Sequence, residues 1–162
     1  MYVPATMRLL IEIVETGVVA VETAYAVTPA LREWYVEGDD DELEYAAMTY
    51  AARASLQLLA QRREDPPCRV VLALDVADAA ASAAPDAGRA AVGLSVRPAL
   101  ADVVSAHVDS TDAAYAVRAA VSALPAAQQG DEDAQFRVDA VEDHDLAWYA
   151  TQEIPALVAV ES

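Results

Sequence analysis

Glu142, Asp143, His144 and Asp145 stand in a row, so three carboxylates flank one of the chain's two histidines. Those residue types serve metal binding, proton transfer, helix capping or a basic partner. A metal centre there needs His144 with Glu142, Asp145 or more distant groups such as His107 and Asp109. The spacing matches no metal motif: HExxH, paired ExxH and cysteine clusters are absent. DDDELEYAA departs from the EF-hand loop, because Gly38 precedes the acids. No metal and no cofactor is therefore assigned. In VVSAHVD, strand alternation puts Ser105, His107 and Asp109 on one face, where residues two apart sit about 7 Å from one another, too far for short side chains to bond. A hydrolase also needs a nucleophile elbow and an oxyanion hole, and no GxSxG motif exists. His107 reads as a half-buried strand residue, and no catalytic residue is assigned.

Interaction chemistry has more support in the pattern. Trp34 and Tyr35, Tyr45, and Trp148 and Tyr149 flank acidic runs, and carboxylates beside aromatic anchors suit an Arg- or Lys-rich segment. Thirteen of the twenty-seven acids fall in two clusters, Glu37–Glu44 and Asp131–Asp145. Whether they adjoin depends on the fold. Capping competes for the same residues: Asp131 is placed to cap a helix carrying Phe136, Val138 and Val141, and Asp143 a further one carrying Leu146 and Tyr149 that stops before Pro155.

Composition narrows the field. At 162 residues with 56% hydrophobic content, the chain has the material for one core and one domain, residues 1–162. A net charge of −17 disfavours nucleic-acid phosphates and anionic membranes as partners. No apolar run reaches membrane-spanning length, and MYVPATMRLL lacks a signal-peptide pattern, so the expected compartment is the cytoplasm. Every one of the ten positive charges is arginine, and lysine and asparagine are absent, a sign of high-GC coding that inflates alanine without structural demand. The single Cys68 reads as the start of a strand. Phosphate-binding glycine loops are missing, which removes the common nucleotide folds.

The elements that must position these residues follow from caps and periodicity. YVPAT reads as a strand, followed by a helix capped by Thr6 and stopped at Gly17; TAYAV reads as a second strand, followed by a helix opened by Thr28 and Pro29. The acids from Asp39 to Glu42 start a long helix that ends near Gln61. RVVLALDV is a central strand, and 77–89 a connecting loop with at most a helical turn. AAVGLSV and DVVSAHV form an antiparallel pair, and a helix runs from Thr111 to Leu124. The fold class expected is α/β: a mixed sheet of about five strands with helices packed on it, parallel in its first half, with α+β as the alternative.

Three phrases, YVPAT, AYAVTPALREWYVEGDDDELEYAAMTYAARASLQLL and GDEDAQFRVDAVEDHDLAWYATQEIP, resemble a family of small acidic actinobacterial hypothetical proteins that share a domain of unknown function. The resemblance spans nearly the whole chain. It implies a cytoplasmic, single-domain bacterial protein, and brings no activity, cofactor or catalytic residue with it.

The residues thus favour a non-enzymatic module for a protein partner with a basic surface. The surface named is Trp34, Tyr35, Asp40, Asp41, Glu42, Asp143, His144, Asp145 and Trp148, with no nucleic acid and no membrane among the partners. The alternative is a small metal- or histidine-dependent enzyme using His144, Asp145, His107 and Asp109, and a third reading is a nucleic-acid mimic.

Overall fold

The computed structural model describes residues 1–161. Strand β1 (Tyr2–Ala5) leads into helix α1 (Met7–Thr16). The Thr6 hydroxyl accepts the Leu9 N–H at the start of α1, and Gly17 closes it with φ +73, a left-handed conformation that suits glycine. Strand β2 (Thr23–Tyr25) is followed by helix α2 (Pro29–Trp34). The Thr28 hydroxyl caps α2 and donates to the Arg89 carbonyl. Helix α3 (Asp40–Gln61) then spans the domain.

The remaining elements are strands β3 (Val70–Leu74), β4 (Ala81–Ala83), β5 (Ala91–Leu94) and β6 (Val103–Asp109), helices α4 (Ala114–Gln128) and α5 (Glu132–Ala140), strand β7 (Leu146–Ala150) and helix α6 (Ile154–Glu161). The seven strands form one open sheet in the order β4-β5-β2-β1-β3-β6-β7. Helices and strands therefore share a single domain, as expected. Four expectations about the sheet are corrected. It has seven strands, not about five, and every pairing is antiparallel, which fits the α+β alternative. The strands β5 and β6 do not pair with each other: β5 lies between β2 and β4, and β6 between β3 and β7. The segment 77–89 holds β4 as well as two 3-10 turns.

The parallel reading failed because helix α1 does not feed β2 directly. Residues 18–22 intervene as an extended pass, held by a bridge from Val18 to Ala99 and by the Val19 N–H on the Pro98 carbonyl. The chain then enters β2 antiparallel to β1.

Alternation divides the core between two faces. Val3, Val70, Leu72, Ala106 and Val108 point to the face covered by α1 and α6, through Leu10, Ile13, Ile154 and Val158. On the other face Tyr2, Tyr25 and Val71 meet α3, whose Leu43, Ala46, Ala47, Ala51 and Ala52 are buried. The alanines let the helix axis approach the strands closely. Helix α4 packs on the far side of α3 through Leu56, Leu59, Val117, Ala120 and Leu124. As a result α3 is buried along two stripes.

One hydroxyl registers α3 on the sheet. Ser55 is fully buried; its Oγ donates to the Ala5 carbonyl at 2.7 Å and accepts the Val70 N–H at 3.1 Å. Ala5 and Val70 are direct partners across the β1–β3 ladder. Ser55→Ala leaves both backbone groups unsatisfied in the interior, and is expected to lower unfolding free energy by about 2 kcal/mol. Urea denaturation of the two proteins measures this, and a change within about 0.5 kcal/mol would contradict it.

Candidate functional site

A groove of about 1260 Å³ runs beside α3, lined on one side by that helix and on the other by Val141, Glu142, His144, Asp145 and Leu146. Its α3 wall carries Asp41, Tyr45, Met48, Ala52 and Leu56, spaced by three or four residues along one helical face. Glu37 and Asp39 stand at the head of the helix, and Glu142, His144 and Asp145 on the opposite wall. Residues from both acidic clusters therefore line one groove.

Several of these carboxylates have local reasons to be there. Asp39 accepts the Glu42 N–H at 2.9 Å, and the Glu42 carboxylate accepts the Asp39 N–H at 3.0 Å, a reciprocal cap at a helix end that favours negative charge. Glu37, Asp41 and Asp145 make no hydrogen bond or ion pair among the described residues. Their charge is left facing solvent in the groove.

The two arginines in the lining are already engaged. Arg53 of α3 meets Glu142 at 2.5 Å, which joins the two walls. Arg69 is bound more deeply: its Nε and Nη2 donate to the Asp109 carboxylate at 2.8 and 2.7 Å, and its backbone N–H donates to the same group at 2.9 Å. The guanidinium also donates to the His144 carbonyl at 2.7 Å. The Arg69 and Asp109 side chains are 3% and 0% exposed, so the pair sits in a medium where its attraction is little screened. Through it the end of β6 and the start of β3 hold the wall that carries His144 and Asp145.

The histidine chemistry is arranged differently from the sequence expectation. His107 is half-buried on β6, as anticipated, but its Nε2 lies 3.2 Å from the Ser105 Oγ. The expected separation was overturned because side chains on one strand face lean together and the imidazole is long. Asp109, the third member of that row, has both oxygens on Arg69. Among the described residues no three His, Cys, Asp or Glu side chains converge as a metal would require. Burial, with the Asp109 charge nearby, pushes the Cys68 thiol up to about 12, which keeps it protonated at neutral pH.

The named surface residues divide in two. Tyr35, Asp41, Glu42, His144 and Asp145 line the groove, whereas Trp34, Asp40, Asp143 and Trp148 lie outside it. Trp34 stacks under Arg89, whose guanidinium carbon sits 3.6 Å from the ring centroid. Asp40 pairs with Arg32 at 3.2 Å. Asp131 caps α5 by accepting the Ala134 N–H. Asp143 caps no helix: it ends a 3-10 turn, Val141–Asp143, and the expected helix over Leu146 and Tyr149 is strand β7. The edge of β6 pairs with all five residues in register and satisfies their backbone, which decides for strand. Pro155, read as a stop, instead lies in the first turn of α6, where its missing N–H costs nothing. Tyr50, Arg53 and Arg69 were missed. The second stripe on α3, offset from the core stripe, was the available signal for Tyr45 and its neighbours.

Fold and groove together define a small domain with an antiparallel sheet and an acidic groove beside α3 edged by aromatics. The chain belongs to a family of unknown function, DUF6912, whose model matches residues 1–158. No curated protein and no solved structure gives a significant match. Among the described residues no helix is long and apolar enough to cross a membrane.

Two outcomes follow from the buried groups. Asp109→Asn strands the Arg69 charge and is expected to cost about 3–5 kcal/mol in chemical denaturation, with much of the loss recovered when Arg69→Met is added. Recovery failing in the double variant would mean the pair is not the source. Burial lowers the pKa of His107, so as pH falls through about 6.5 the unfolded chain takes up a proton that the folded chain refuses. Stability is retained above that pH and declines below it. Wild type should thus lose ground to His107→Gln between about pH 7.5 and 5, and a constant difference would contradict the assignment.

Proposed function

We propose that this protein is a cytoplasmic, non-enzymatic interaction module that receives an arginine- or lysine-rich segment of a partner protein in the acidic groove. The observation that carries the reading is that carboxylates from two chain-distant clusters share one groove in which both arginines are already neutralised. The unpaired carboxylates Glu37, Asp41 and Asp145 then act together on an incoming cation, and Tyr35 and Tyr45 supply aromatic surface beside them. Trp34, Asp40, Asp143 and Trp148 form the rim of the same surface in this reading. The acids that cap α3 add to the field while remaining tied to the backbone, so the groove stays charged without loss of order.

The test is titration calorimetry with an arginine-rich peptide. Asp41→Asn combined with Asp145→Asn alters neither a cap nor an ion pair. It is expected to weaken binding about tenfold, and raising salt from about 50 to 500 mM is expected to weaken it further. Trp148→Ala should also reduce affinity, since aromatic anchors carry much of an interface. Affinity unmoved by salt and by the double substitution would end the reading. Strong salt dependence with indifference to Trp148→Ala, together with displacement of DNA from a DNA-binding protein, would instead favour a nucleic-acid mimic.

A further inference from the structure

The sheet ends in two unlike edges. Strand β4 is three residues long and enclosed by 3-10 turns containing Asp78, Pro85 and Asp86, the usual safeguards against unwanted pairing. Strand β7 at the other end is guarded only at its last residue, where the Glu153 carboxylate accepts the Ala150 N–H at 2.8 Å. Its sequence LAWYA contains no charge and no proline, its ladder with β6 runs without a bulge, and no strand lies on its outer side. Trp148 at its centre is 61% exposed.

This edge is continuous with the groove. His144 and Asp145 line the groove immediately before β7 begins, and Leu146, its first residue, lines it as well. Trp148 faces the same side: it is the direct partner of His107, His107 is the partner of Val71, and Val71 packs against Ala51 and Ala52 of α3. A strand added outside β7 would therefore alternate, with every second side chain on the face that carries Trp148 and the groove. Trp148 offers that face a platform for a guanidinium, the arrangement that Arg89 already adopts over Trp34.

Charge selects the occupant. A second copy pairing antiparallel about Trp148 would set Asp143 of one chain opposite Glu153 of the other, between molecules that each carry a net charge of −17. A basic strand meets attraction at both ends of β7. Resting on the basic-partner reading above, we propose that β7 accepts an extended basic segment of the partner as an eighth strand, with alternate side chains on Trp148 and in the acidic groove. Backbone pairing then supplies affinity and the alternating cations supply selection, as in other strand-addition interfaces.

Amide NMR of the full chain, titrated with a short peptide of alternating arginine and valine, tests the geometry. The parent peptide is compared with two versions N-methylated on one or the other alternating set of amides. Strand addition requires one methylated version to bind at least about tenfold more weakly and the other to bind nearly as the parent does, because only one set of amides faces β7. The largest shifts should fall on residues 146–150, with slowed amide exchange there. If all three peptides bind alike and the shifts stay on α3 and residues 141–145, the edge is not used, while the groove reading stands. If none of them binds, both readings fall. Dimerisation through β7 without peptide, seen by sedimentation, would name a second copy as occupant and overturn the proposal.

Discussion

The Arg69–Asp109 pair is the constraint on which the candidate site depends. A buried guanidinium must spend its donors well, and this one satisfies a carboxylate at two points and a backbone carbonyl at a third. The geometry joins three stretches distant in sequence: the start of β3, the end of β6 and the turn before β7. Because the third bond falls on the His144 carbonyl, the outer wall of the groove is fixed from inside. The Arg53–Glu142 contact, at the surface, then sets how far that wall stands from α3.

The acids serve two physical demands at once. Negative charge at the head of a helix is favourable, and the reciprocal bonds of Asp39 and Glu42 make it more so. Repulsion among many carboxylates opposes compactness, however, and the chain meets this by pairing or capping some and leaving others to water. Among those left to water, Glu37, Asp41 and Asp145 stand where the head of α3 and the turn before β7 face each other. Part of the charge in the groove is thus a consequence of helix capping.

Local signals were legible in the sequence and long-range ones were not. Thr6, Thr28, Asp39 and Asp131 were readable as helix starts because a capping side chain acts within three residues. The extent of α3 followed from its periodicity. Strand direction depends on residues 18–22, whose bridge to Ala99 joins positions far apart in the chain, and nothing local marks it. The β7 segment misled because Leu, Ala, Trp and Tyr fit either helix or strand, and the free edge of β6 decided. Alanine was set aside as coding bias, yet in α3 it is what permits close packing on the sheet. The acidic runs were visible as separate clusters, and only the path of the chain around α3 showed that they share a groove.

The position of β1 also shapes how the chain must be made. It lies in the middle of the sheet, and its partner β3 begins only at Val70. At about 5–20 residues per second on the ribosome, roughly 3 to 14 s pass between the synthesis of the two. During that interval the central strand can meet only β2 and helices α1 to α3. The long α3 emerges before β3 does, and Ser55 on it offers the hydroxyl that the arriving strand will meet.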